Sequence, residues 1–103
     1  MARVTLNWTL PDTRTNGAAL PPSAISHTDI SMSADGGANF SPPVEVPSDG
    51  DQTFMVDGLT FGDYIFRAVV EDNAGRRSDD ADVTGTILAP PSAISDLTVT
   101  ITE

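Results

Sequence analysis

The stretch from Gly58 to Gly75 constrains this chain more than any other. It reads Gly58-Leu59-Thr60-Phe61-Gly62-Asp63-Tyr64-Ile65-Phe66-Arg67-Ala68-Val69-Val70-Glu71-Asp72-Asn73-Ala74-Gly75. A leucine leads a tight turn, and a tyrosine then opens a run in which Tyr64, Phe66, Ala68 and Val70 fall on one face. A period of two is that of a half-buried strand. Asp72 to Gly75 closes the run with turn residues.

The remainder of the chain repeats this grammar. No run has helical periodicity of useful length, and eight Pro and eight Gly interrupt the 103 residues often, as an all-β protein with many turns requires. The length suits one domain with one core. Val4, Leu6, Trp8 and Leu10 alternate with Arg3, Thr5, Asn7 and Thr9, which predicts a first strand over Ala2 to Leu10, stopped by Pro11. Asp12 to Ala24 is a long loop turning at Asn16-Gly17. A weaker strand runs from Ile25 to Ser33, with Thr28, Ile30 and Met32 on one face, and Asp35-Gly36-Gly37 turns the chain. Pro42, Pro43 and Pro47 restrict Phe40 to Pro47 to an edge strand or irregular backbone. Gln52 to Val56 is a strand ended by Asp57-Gly58, and Asp82 to Leu88 is the last of the body, with Val83 and Ile87 facing inward.

Composition excludes some classes of function. Fifteen acids oppose five bases, all of them arginine, for a net charge of -10. Nucleic acid is a poor partner for such a surface, because phosphate binding needs clustered positive charge. The absence of lysine suits a GC-rich genome or a saline habitat, or is chance. No apolar run is long enough to span a bilayer, and Met1-Ala2-Arg3 leads into a strand pattern rather than a signal peptide. With no cysteine there is no disulfide or thiolate metal site, and the compartment stays open.

Few residues suggest chemistry. Ser26, His27 and Asp29 lie close in sequence, but a regular strand puts Ser26 on the face opposite His27 and Asp29, and a triad needs all three to converge beside an oxyanion hole. One histidine without cysteine makes a poor zinc site. Asp79, Asp80 and Asp82, and again Asp49 and Asp51, offer carboxylates of the kind calcium takes, without the EF-hand spacing; a solvated surface explains them more simply. Arg76 and Arg77 are the only paired cations. They either grip a partner's carboxylate or, the simpler reading, offset Asp72, Asp79 and Asp80. Asn7-Trp8-Thr9 and Asn39-Phe40-Ser41 match the short glycosylation pattern, which chance supplies as readily. Neither a catalytic set nor a cofactor is expected.

The Leu59–Gly62–Tyr64 corner and the strand it opens resemble the E–F corner and F strand of a fibronectin type III domain, and Val4-Thr5-Leu6-Asn7-Trp8-Thr9-Leu10-Pro11 resembles that family's strand B. The resemblance implies an immunoglobulin-like sandwich of two sheets spanning residues 1–88, with Trp8, Leu59, Tyr64 and Phe66 as structural core. It further implies that Trp8 lies between the sheets and that the Tyr64 hydroxyl bonds backbone near Leu59. The F–G loop, Gly75 to Asp79, lacks the adhesion tripeptide found in some members. The match is poor from Ser33 to Gly50.

The ends are out of the family's order. The chain begins at a B-like strand, yet after the last body strand comes a Pro-rich linker, residues 89–93, and a segment, 94–103, in which Leu97, Val99 and Ile101 share one face opposite Asp96, Thr98, Thr100 and Thr102. This segment resembles strand A, displaced to the C-terminus. In addition, Pro21-Pro22-Ser23-Ala24-Ile25-Ser26 recurs unchanged as Pro90-Pro91-Ser92-Ala93-Ile94-Ser95; both copies precede strand patterns, and a duplicated extended spacer is the plainest explanation. The tail either begins a further domain, folds back on its own sandwich, or completes a neighbour's. Ala89 to Ala93 extended reaches about 17 Å, short of a six-residue strand of about 20 Å. A fold-back in the family's orientation is therefore strained, a reversed pairing beside the last strand is feasible, and donation to a neighbour fits more easily.

The expected function is a non-enzymatic module that docks on a larger assembly, in the manner of accessory domains on tailed-phage virions, with Leu97, Val99, Ile101, Arg76 and Arg77 as its interface. Its partners are then copies of itself, head to tail, or capsid and tail proteins, and its location the virion. The alternative is a carbohydrate- or surface-binding module of a secreted bacterial protein, for which Phe40 and Phe61 are the aromatics left over.

Overall fold

In the computed structural model, which describes residues 2–103, every regular element but one short 3-10 turn is a strand. Strands β1 (Ala2–Asn7) and β4 (Thr53–Leu59) pair antiparallel as a two-stranded sheet, and β3 (Val44–Pro47), β2 (Ile25–Ser33), β5 (Gly62–Asp72) and β6 (Ala81–Ile87) form a four-stranded sheet in that spatial order. All four pairings are antiparallel.

The sheets meet across one small core. Leu59, Tyr64 and Phe66 are buried at its centre, with Val4, Leu6 and Val56 packed on them from the two-stranded sheet and Met32 and Ile87 from the four-stranded one. The Tyr64 hydroxyl donates to the Thr60 carbonyl at 3.0 Å, which closes the turn between β4 and β5. Tyr64 and Phe66, two apart on β5, stack with their centroids 6.3 Å apart, so this strand supplies most of the centre.

Several local expectations are corrected. β1 ends at Asn7, not Leu10, because its partner β4 begins at Thr53, opposite Asn7; one further bond, from Trp8 N to the Gln52 carbonyl at 3.2 Å, closes the ladder. Asp57-Gly58 does not end β4. The register steps from Val4–Val56 to Ala2–Leu59, a bulge that holds both residues, and Gly58 takes φ 74° there, a conformation glycine adopts freely. Trp8 is half-buried at the sandwich rim rather than at its centre; its indole N–H donates to Gln52 Oε1 at 3.0 Å. Val83 is 56% exposed, on an open groove that Leu6 and Trp8 also line.

The long loop before β2 is more ordered than its composition suggests. A bridge between Thr13 and Ala19 closes the Asn16-Gly17 turn, Leu20 is buried, and Pro22–Ala24 makes a 3-10 turn that delivers Ile25 into the core. On the outer face of the four-stranded sheet, the chain after β2 folds over β5, where Phe40 lies under the Arg67 guanidinium at 3.9 Å. Asp35 holds this turn by accepting from Ser33 Oγ and from Asn39, and the Ser33 bond above all pulls its carboxyl down to about 2.

Candidate functional site

A two-stranded sheet facing a four-stranded one leaves surface uncovered. β1 pairs on one side with β4; among the described residues no strand pairs with its other side. Beside that open edge runs a groove of about 150 Å³ between β1 and β6, lined chiefly by Leu6, Trp8, Ile30, Phe66, Ala68, Ala81 and Val83, together with Asn7, Arg67 and Asp82. Its floor is the flank of the core itself.

The C-terminal tail lies elsewhere. Residues 88–103 are exposed and form no strand, and the molecule measures 82 × 28 × 23 Å because this segment extends away from the body. Leu97, Val99 and Ile101 are 84%, 83% and 79% exposed, with Ile94 and Leu88 equally bare. The expected strand over Asp96 to Thr102 is thus not formed within one chain. An alternating apolar segment held in water has left roughly 1.5–3 kcal/mol of burial per side chain unused, and an unpaired sheet edge is itself prone to take up a strand.

The arginine pair lies at the pole of the body where β5 ends. Arg76 reaches Asp72 at 3.3 Å, and Arg77 donates to Asp29 and Glu71, each at 2.8 Å. The pair therefore offsets Asp72, as one sequence reading has it, but Asp29 and Glu71 in place of Asp79 and Asp80. Asp80 and Asp82 instead flank Arg67 at 3.4 and 2.9 Å, and the Arg67 bond lowers the Asp82 pKa. Asp72 is an organising centre that sequence reading missed. Nearly buried, it accepts from Arg14, from both the side chain and backbone of Arg76, and from the Ala74 N–H. The Arg76 backbone bond is the largest reason its carboxyl sits at about 2. The open cleft of about 840 Å³ above it, walled by Arg14, Arg76 and Arg77, already has its positive charge matched by these carboxylates.

Ser26 corrects a further expectation. A register shift between Ile25 and His27 breaks the alternation, so Ser26 Oγ lies 2.9 Å from His27 Nδ1, and His27 Nε2 lies 3.3 Å from Asp29 Oδ1. His27, Asp29 and Glu45 also lie close enough to share an ion. Arg77 already occupies the other Asp29 oxygen and also binds Glu71, so two carboxylates of this polar row on the outer face of the sheet are already bonded to an arginine. No helix among the described residues is long and apolar enough to cross a membrane.

Compared with protein-family models and with curated protein sequences, the chain matches none. What the structure assigns is therefore the all-β class and two antiparallel sheets packed face to face, compatible with an immunoglobulin-like sandwich.

Proposed function

We propose that this chain is a non-enzymatic interaction module of the fibronectin type III kind that docks on a larger protein assembly through its open β1 edge and its C-terminal tail. The observation that carries this reading is the pairing of unfinished parts: an uncovered apolar groove and an exposed segment with strand alternation. The sheet orders β1–β4 and β3–β2–β5–β6 support the family reading. The accessory proteins of tailed-phage virions are the form of assembly that the resemblance implies.

Density-gradient fractionation of particles from the source tests this. The chain should band with the particle, and Leu97→Asn together with Val99→Asn should release it. A chain found only free, and retained on a glycan array, would favour the carbohydrate-binding alternative, for which Phe61, 63% exposed, is the available aromatic. Phe40 is covered by Arg67.

A further inference from the structure

We infer that the occupant of the β1–β6 groove is the segment Asp96–Thr102 of a second copy of this chain, added antiparallel to β1. This rests on the reading of the chain as an assembly module and names its partner and site.

The groove fits the segment in three respects. Its wall is the free backbone edge of β1, which can continue the two-stranded sheet by one strand. Its lining is mostly apolar, with Asn7, Arg67 and Asp82 also present, and includes Val83, which is 56% exposed. The segment offers Leu97, Val99 and Ile101 to that lining and turns Thr98, Thr100 and Thr102, β-branched residues suited to a solvated sheet face, to the side that carries Arg3, Thr5 and Asn7 on β1.

The strand directions select a second copy over the same chain. Ala2 pairs with Leu59 and Gly62 with Ile87, and only the Thr60-Phe61 turn separates Leu59 from Gly62; the start of β1 and the end of β6 therefore share one pole. Trp8 and Val83 line the groove toward the other pole. A chain leaving Ile87 must return to that far pole before it can run antiparallel to β1, and every pairing in the molecule is antiparallel. Leu88 to Ser95, the residues before the strand, fully extended cover about 26–29 Å, against a six-residue rise of β6 of about 20 Å. The connection reaches only by running mostly extended along the groove that it must leave open, and the tail instead lies exposed, away from its own body. A tail arriving from a second copy meets no such limit. Each copy then offers one strand and accepts one, a head-to-tail contact. Because each chain carries a net charge of -10, association should strengthen as salt screens the repulsion.

The test is light scattering on the full chain and three variants across concentration and salt. The unaltered chain should form dimers or longer species that grow with salt. The double variant Leu97→Asn, Val99→Asn, which disables the tail, and Val83→Asn, which alters the groove, should each weaken association by at least about tenfold. Thr98→Asn, on the opposite face of the tail, should not. The decisive arm is the mixture: the tail variant keeps a sound groove and the groove variant a sound tail, so together they should give a heterodimer that neither forms alone. Circular dichroism confirms that each variant is folded. A chain that stays monomeric throughout, a mixture that gives no heterodimer, or equal effects of Thr98→Asn and the double variant would overturn the inference. A monomer that nonetheless bands with particles would sink the self-association alone and leave the broader reading standing.

Discussion

The same six residues occur twice in this molecule and behave in opposite ways. In residues 21–26 the hexapeptide Pro-Pro-Ser-Ala-Ile-Ser makes a 3-10 turn and enters β2, and Ile25 is 3% exposed. In residues 90–95 it makes no element, and Ile94 is 74% exposed. The difference lies in what meets each copy. The first is held by Asn73, whose side chain donates to the Ser23 carbonyl at 2.8 Å and whose backbone N–H donates to the Ala24 carbonyl at 2.9 Å. Ser48 donates to the Ile25 carbonyl, and Ile25 pairs with Asp72. The second copy meets nothing in its own chain. The hexapeptide is thus an adaptable lead whose shape is set by its receptor, which is consistent with tertiary context overriding local propensity.

Substitution at the two isoleucines separates the two copies. Ile25→Ala should destabilise the monomer by about 2–5 kcal/mol, as for other fully buried aliphatics, whereas Ile94→Ala should leave the denaturation midpoint of the dilute chain unchanged. Equal effects would mean that the second copy is also docked. Asn73→Ala removes one side-chain bond to the first copy and should cost about 0.5–1.5 kcal/mol by chemical denaturation, with faster hydrogen exchange at Ala24. An unaltered midpoint would show that Asn73 does not hold the turn.

Acid offers a further probe, since Asp72 organises the loop that bears Asn73. Its folded-state pKa of about 2 lies below that of an ordinary carboxyl, so its contribution is fully present above the unfolded-state value and is lost as pH falls from about 4 to about 2. Relative to the native chain, Asp72→Asn should show a shallower fall in stability over that window and no added pH dependence above pH 5. An unchanged slope would remove Asp72 from the account. The smallest effect is expected at Thr28, fully buried on β2 with its hydroxyl unpartnered. Thr28→Val should be neutral or stabilise by up to about 1 kcal/mol, and a clear loss would reveal a hidden partner for that oxygen.

Much of the body was legible because alternation survives in short strands. Tyr64, Phe66 and Leu59 announce the corner and the core, and the bounds of β2 follow from Ile25 to Ser33. What was not legible depends on pairs distant in sequence. The bulge that keeps β4 running through Gly58 is a matter of register with Ala2 and Val4. Ser26 reaches His27 only because β2 shifts against β5. Leu20 reads as loop because nothing near it in sequence signals that the Thr13–Ala19 bridge folds the loop and that Leu20 is buried. Trp8 and Val83 were both expected to be covered, and the missing cover is a property of how many strands lie opposite them. The candidate site was half legible: the tail's alternation is in the sequence, whereas the groove exists only once the two sheets are stacked.

Amide hydrogen exchange across the tail reports whether Asp96 to Thr102 docks on a second copy. At concentrations where the full chain associates, the amides of Leu97 to Ile101 should be protected together with those on the open edge of β1, and both should lose protection in parallel on dilution. Free-chain exchange in the tail at every concentration, or protection that does not change with dilution, would contradict the account: the first would leave the tail without a receptor, and the second would place it in its own groove.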